Sequence, residues 1–227
     1  SGENESLKEV RSDLFLPSAM QNGAVSVTWN IQPSDLIDTQ GKLLREPAEE
    51  GELAELRAVA KKHGPVALVH FDSHSDLCDE VFGEKYNHGT PFRRAIEEGL
   101  IDPSHSIQIG MRGSLYDPNE HKMAAELGML LIPAHKVREM GTDELIRTAL
   151  ERVGDKPCFL TFDIDFVDPA YAPGTGTPEV GGFTSFETLD MLRKLKDLNY
   201  IGFDVVEVLP AYDHGEITSY MAANIVF

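Results

Sequence analysis

Pro65-Val66-Ala67-Leu68-Val69-His70-Phe71-Asp72-Ser73-His74-Ser75-Asp76 decides the fold. An apolar run of strand length ends in Asp72, His74 and Asp76 at spacing i, i+2, i+4. In extended backbone that spacing turns the three side chains to one face. The same design recurs downstream. Cys158-Phe159-Leu160-Thr161 feeds Phe162-Asp163-Ile164-Asp165, with its acids at i, i+2. Together the two segments offer four carboxylates and an imidazole for one site. Neither segment contains a Lys or Arg to neutralise them. So much negative charge in one place is expensive without a cation, which makes a pair of divalent metals the natural occupant. A lone Asp-x-Asp is commonly turn or cap chemistry, so the pairing of the two segments is what carries weight.

Around these anchors the chain alternates short apolar runs with helical patterns. Helices are predicted over 48–63, from Thr90 to Gly99, from Asp117 to Gly128, over 142–153 with Thr142 as N-cap, over 185–198, and from Glu216 onward. Strands are predicted over 66–71, 106–110, 129–132, 158–162 and 200–206, with 25–30 as a further strand and 34–37 as the start of a short helix. Such alternation builds a mainly parallel sheet covered on both faces by helices, a three-layer α/β/α domain. Functional groups of such sheets gather beyond the carboxyl ends of the strands, where Asp72 to Asp76, Arg112, Asp163 to Asp165 and Glu207 all fall. Tyr171 to Gly182, with four Gly and two Pro in twelve residues, reads as an ordered loop beside the second aspartate pair.

The 227 residues suffice for one large domain, and no repeat or linker divides them. The formal net charge of −18 argues against nucleic acid as a partner and suits a small cationic one. Two cysteines, Cys78 and Cys158, make no disulfide framework and point to a reducing compartment. No apolar run approaches the roughly 18–20 residues that cross a bilayer. The polar, acidic start Ser1-Gly2-Glu3-Asn4 is unlike a signal peptide, so a cytoplasmic location is expected. Carboxylate and imidazole donors fit Mn²⁺, Fe²⁺, Co²⁺ or Ni²⁺ better than structural zinc, and two metals sharing a water make it a nucleophile. His88, by itself, reads as an exposed helix-start histidine. Glu207 and Arg112 are each either a structural partner or a functional group.

At this point the chain resembles the ureohydrolases, the family of arginase and agmatinase, with a fold shared by deacetylases. The residues that carry the resemblance are His70 to Asp76, Thr161-Phe162-Asp163-Ile164-Asp165-Phe166-Val167-Asp168-Pro169-Ala170 and Gly202 to Val208, with support from Gly83 to Phe92 and Gln108 to Gly113. It runs from about residue 53 to the end, and residues 1–52 match poorly. It implies a single ureohydrolase domain holding two Mn²⁺ per subunit. Asp72 and Asp163 would bridge both metals, His74 and Asp165 would bind one, and Asp76 the other. Glu207 would pair with the guanidinium and His88 would shuttle a proton, while a metal-bridging hydroxide attacks the guanidino carbon to release urea and an amine. The loop Leu77-Cys78-Asp79-Glu80-Val81-Phe82-Gly83-Glu84-Lys85-Tyr86-Asn87 looks agmatinase-like, and its acids favour a distal ammonium, as in agmatine, a polyamine precursor. Guanidino acids such as guanidinobutyrate and guanidinopropionate are the alternative substrates. The resemblance further implies homo-trimers or homo-hexamers.

One departure matters. The family's additional metal-binding histidine, in a Gly-Gly-Asp-His-Ser-type segment, has no counterpart here. That would leave one metal position with Asp72, Asp76 and Asp163, so partial metal occupancy is expected. Two other classes stay in view: a catalytically impaired scaffold subunit of a hetero-oligomer, and a metal-dependent amidohydrolase of deacetylase type.

Overall fold

The computed structural model describes residues 51–115 and 119–227, together with 19–20 and 25–26. The chain parts into two compact units, Ser1–Glu55 and Leu56–Phe227. In the first, strands β1 (Ala19–Met20) and β2 (Val25–Ser26) pair antiparallel. The rest of the strand predicted over 25–30, and the short helix predicted from residue 34, lie outside the described residues. Helix α1 (Gly51–His63) starts in the first unit and runs into the second.

The second unit is built on a five-stranded sheet of β3 (Ala67–Phe71), β4 (Ile107–Ile109), β5 (Leu130–Ile132), β6 (Cys158–Asp163) and β7 (Tyr200–Val206). Its order is β5-β4-β3-β6-β7, and every pairing is parallel. Each strand falls within one residue of its predicted bounds. Residues of β3 are fully buried, which is why the segment reads as an unbroken apolar run rather than an alternating one. At the sheet edge, β7 is half-exposed despite its apolar sequence, and Phe203 is 50% exposed.

The connecting helices are α2 (Pro91–Glu97), α3 (Glu120–Glu126), α4 (Ala134–Met140), α5 (Thr142–Val153), α6 (Ser185–Lys194) and α7 (Ile217–Val226). Pro91 opens α2 at a position where its missing N–H costs nothing. Thr184 and Glu187 form a reciprocal capping box at the head of α6. Two expectations are corrected. Thr142 is the first helical residue of α5, and Gly141, at φ +80°, holds the cap position instead. The seven residues of α4 were not foreseen, because so short a helix shows little periodicity; it is held between Pro133 and Gly141.

The order of the sheet places the site. The chain lays down β3, moves outward through β4 and β5, then returns to the other side of β3 with β6. Neighbouring connections therefore diverge between β3 and β6, opening a crevice at their carboxyl ends. Both aspartate segments leave the sheet at that crevice. Beneath it Phe71, Phe162, Phe166 and Phe183 pack ring against ring, with Phe71 and Phe166 edge-on at 5.1 Å and Phe166 and Phe183 stacked at 4.5 Å. This rigid, fully buried floor fixes the two strand tips relative to one another.

Candidate metal centre

Parallel pairing sets Phe71 level with Phe162, so Asp72 and Asp163 leave the sheet side by side. After β3 the chain turns tightly, with Asp76 at φ +54°. After β6 it winds into a single 3-10 turn over Ile164–Phe166, started by Asp163 Oδ1 accepting the Asp165 N–H at 2.8 Å. That turn lifts Asp165 back toward the first segment. Ser73 donates to Asp165 Oδ1 from its backbone N–H at 3.0 Å and from its hydroxyl at 2.7 Å.

Two donor groups result. Asp72, His74 and Asp165 offer ligand atoms within 4.8 Å of one another, and so do His70, Asp72 and Asp76. Asp72 belongs to both. His74 Nδ1 lies 3.0 Å from Asp165 Oδ2 and 3.5 Å from Asp72 Oδ1. Asp163 stands outside both groups of mutually close atoms, but it is buried among the same charges. Burial, then Asp165 and Asp72, push its carboxyl well above the usual range. Burial and Asp72 also raise Asp165. Burial would raise Asp72 too, yet His70 and His74 beside it hold it well below an ordinary carboxylate. For His74, burial works downward, but the hydrogen bonds to Asp165 and Asp72 push it up to about 11. The centre therefore carries more negative charge than its own residues neutralise, and a proton on His74 makes up part of the deficit.

Oxygen-rich donors with one imidazole are the set that first-row divalent ions such as Mn²⁺ accept. A metal would displace the His74 proton and relieve the repulsion between Asp163 and Asp165. The residues present thus fit a divalent centre, with His74, Asp72 and Asp165 able to hold one ion and Asp72 and Asp76 turned to a second.

Glu207 follows β7 at φ +60°, a backbone region that non-glycine residues enter at a cost of roughly 1–2 kcal/mol. Asp76 shares that conformation. Strain of this kind persists where surrounding structure enforces it, commonly at functional sites. Glu207 leaves the carboxyl end of β7, the strand beside β6, and its charge adds a small upward push to the Asp163 carboxyl. His88 lies in an exposed turn before α2, outside both donor groups. The Cys78 N–H donates to the Gly89 oxygen at 3.1 Å, tying that turn to the segment that follows Asp76.

Three contributors were not singled out from the sequence. His70 and Gln108 are buried behind Asp72; alternation along β3 puts His70 on the same face as Asp72, a signal available in the motif. Glu179, from the glycine-rich loop, brings a carboxylate oxygen to 3.8 Å from His74 Nε2. Arg112, left open between structure and function, spends its guanidinium on backbone oxygens of Asp165, Glu179 and Val180. Asp168 accepts the N–H groups of Gly181 and Gly182, so the loop over 171–182 is ordered as expected. Of the acids in the loop between Asp76 and His88, Asp79 is exposed and accepts from Arg94 through Oδ1 at 2.7 Å.

A profile of the arginase family matches residues 51–227. The chain is similar to the mitochondrial agmatinase of Gallus gallus, 48% identical over 172 residues that cover 76% of this chain and 51% of that one. It is similar to a guanidinopropionase of Pseudomonas aeruginosa, 46% identical over 75% of this chain and 54% of the other. Among solved structures it resembles the proclavaminate amidino hydrolase of Streptomyces clavuligerus, with TM-score 0.74, 48% identity, and coverage of 77% of this chain and 58% of that one. The chain spans about half the length of the curated relatives it matches.

Proposed function

The chain belongs to the arginase family, and from that premise we propose that it hydrolyses a guanidino compound to urea and an amine, with agmatine as the substrate of first choice. The observation that carries the reading is the pair of donor groups sharing Asp72 at the crevice between β3 and β6. Bound there, two Mn²⁺ ions would activate water and polarise the reacting carbon. In this reading Asp72, His74, Asp76, Asp163 and Asp165 hold the metals. Glu207 pairs with the planar guanidinium through charge-assisted hydrogen bonds. Water oxygen bonds to the guanidino carbon, the bond from that carbon to the amine nitrogen breaks, and His88 passes a proton to the departing nitrogen.

Agmatine is favoured over guanidino acids by charge. Its distal group is an ammonium, the chain carries a formal −18, and Glu80 and Glu84 lie exposed in the loop between Asp76 and His88, where Asp79 pairs with Arg94. The relatives named for guanidinopropionate and proclavaminate keep an acid or amino-acid substrate as the second reading. The test is urea release from agmatine, guanidinobutyrate, guanidinopropionate and arginine by the Mn²⁺-loaded chain, with Asp163→Asn as control. Urea chiefly from agmatine is the expected result. Preference for a guanidino acid would overturn the substrate, and no urea from any of the four would overturn the activity.

A further inference from the structure

We infer that Gln108 and His70 form a two-link hydrogen-bond relay that orients Asp72 and leaves one lone pair on each of its carboxylate oxygens for a cation; the inference rests on the metal centre proposed above.

The relay is set up by strand register. His70 on β3 and Gln108 on β4 are direct partners in the parallel pairing, and both are buried, as is Asp72. The Gln108 side-chain nitrogen lies 2.6 Å from the Ser75 backbone oxygen and 3.0 Å from His70 Nδ1. A backbone carbonyl only accepts, so the end of the Gln108 amide facing Ser75 is its NH₂ group. That group has two hydrogens, one for Ser75 and one for His70. Nδ1 of His70 therefore accepts, and the ring carries its hydrogen on Nε2. Nε2 lies 2.8 Å from Asp72 Oδ2 and donates to it. The ring is buried and packs against Phe92, centroid to centroid 4.4 Å.

The consequence falls on Asp72. Its Oδ2 is held by His70, and its Oδ1 by the His74 backbone N–H at 2.6 Å. Each oxygen takes one such fixed hydrogen; the His74 ring, 3.5 Å from Oδ1, would turn from hydrogen-bond donor to metal ligand when a cation enters, which leaves one lone pair on each oxygen of a carboxylate serving two donor groups. His70 Nε2 lies within reach of a cation shared with Asp72 and Asp76, but its committed hydrogen makes it a positioning residue rather than a ligand. Gln108 acts twice, since its bond to Ser75 also pins the turn that delivers Asp76.

Two measurements test this on the 227-residue chain. In metal-free protein, ¹⁵N NMR of the imidazoles should find His70 with hydrogen on Nε2 and none on Nδ1. Hydrogen on Nδ1 would overturn the relay. Mn²⁺ affinity and stoichiometry are then read by electron paramagnetic resonance, with circular dichroism confirming the fold. His70→Phe keeps an aromatic ring against Phe92 but has no hydrogen to give, and should weaken Mn²⁺ binding roughly 10- to 100-fold. His70→Gln places an amide N–H near the lost Nε2 and should recover most of that affinity. Unchanged Mn²⁺ binding in His70→Phe, or a loss that His70→Gln shares fully, would overturn the relay. If the unaltered chain binds no Mn²⁺, the metal reading fails, while the ¹⁵N result decides separately whether the relay's hydrogen bonds are as stated.

Discussion

Arg112 donates from Nη2 to the backbone oxygen of Asp165 at 2.7 Å and from the same nitrogen to the backbone oxygen of Glu179 at 2.9 Å. One guanidinium thereby joins the turn after β6 to the glycine-rich loop. The loop in turn carries Glu179, which accepts the Ser114 N–H at 2.8 Å and approaches His74.

Removing that clamp should loosen the loop first. Arg112→Ala leaves several backbone oxygens without their donor, at a cost of about 1–3 kcal/mol. Arg112→Lys should recover little, because an ammonium cannot span the fork. Limited proteolysis read by mass is expected to cut both variants faster between residues 171 and 182. Wild-type resistance of that loop in Arg112→Ala would count against the clamp.

Gly110 and Gly64 separate backbone conformation from crowding. Both have positive φ, +104° and +77°. A Cβ at Gly64 meets nothing within 4 Å, whereas one at Gly110 would lie 2.5 Å from the Phe166 ring and 2.9 Å from the Asp72 backbone oxygen. Gly64→Ala should cost about 1–2 kcal/mol in urea-melt stability. Gly110→Ala should cost a further 1–3 kcal/mol or so, and should displace Asp72. Equal costs would show that the floor beneath the site yields.

Acid should weaken the hold of Asp213 on the first turn of α7. Burial works to raise Asp213, but the N–H groups of Thr218 and Ser219 and their hydroxyls hold it below an ordinary carboxylate. A depressed carboxyl stabilises fully above its unfolded value of 3.8, and that stabilisation is lost as pH falls through the lower folded value. Asp213→Asn should therefore be less stable than wild type at pH 6, with the gap closing below pH ~4. A gap independent of pH would assign the effect to geometry alone.

Metal and mutation should act with opposite signs at Asp163. In metal-free protein Asp163→Asn removes a carboxylate held among Asp165 and Asp72, and should raise the melting temperature. In the unaltered chain, Mn²⁺ at a hundredfold excess over its dissociation constant should add about 2.7 kcal/mol, roughly 5–10 °C in a domain of this size. Asp163→Asn should lose most of that gain. A variant that is destabilised without metal, yet responds fully to Mn²⁺, would remove Asp163 from the centre.

The strands were legible because each is a short apolar run with punctuation on both sides, as in the buried Val66 to Phe71 between Pro65 and the polar turn. Helix α4 was not, since seven residues between Pro133 and Gly141 make too few turns to show a stripe. Asp72, His74 and Asp165 were legible as donors from spacing and flanks, and they converge. The Asp79 partner was not legible: Arg94, fifteen residues later on α2, reaches its Oδ1 at 2.7 Å.

Local order alone determined a parallel α/β domain with acids at two strand tips, because period-two spacing and strand–helix alternation are properties of neighbouring residues. Which acids share a cation, and what stands behind them, was decided by the fold. Only the return of β6 to the flank of β3 brings Asp165 to His74, and only the register of β3 on β4 sets Gln108 against His70. Those are contacts between residues 91 and 38 positions apart, which no local pattern encodes.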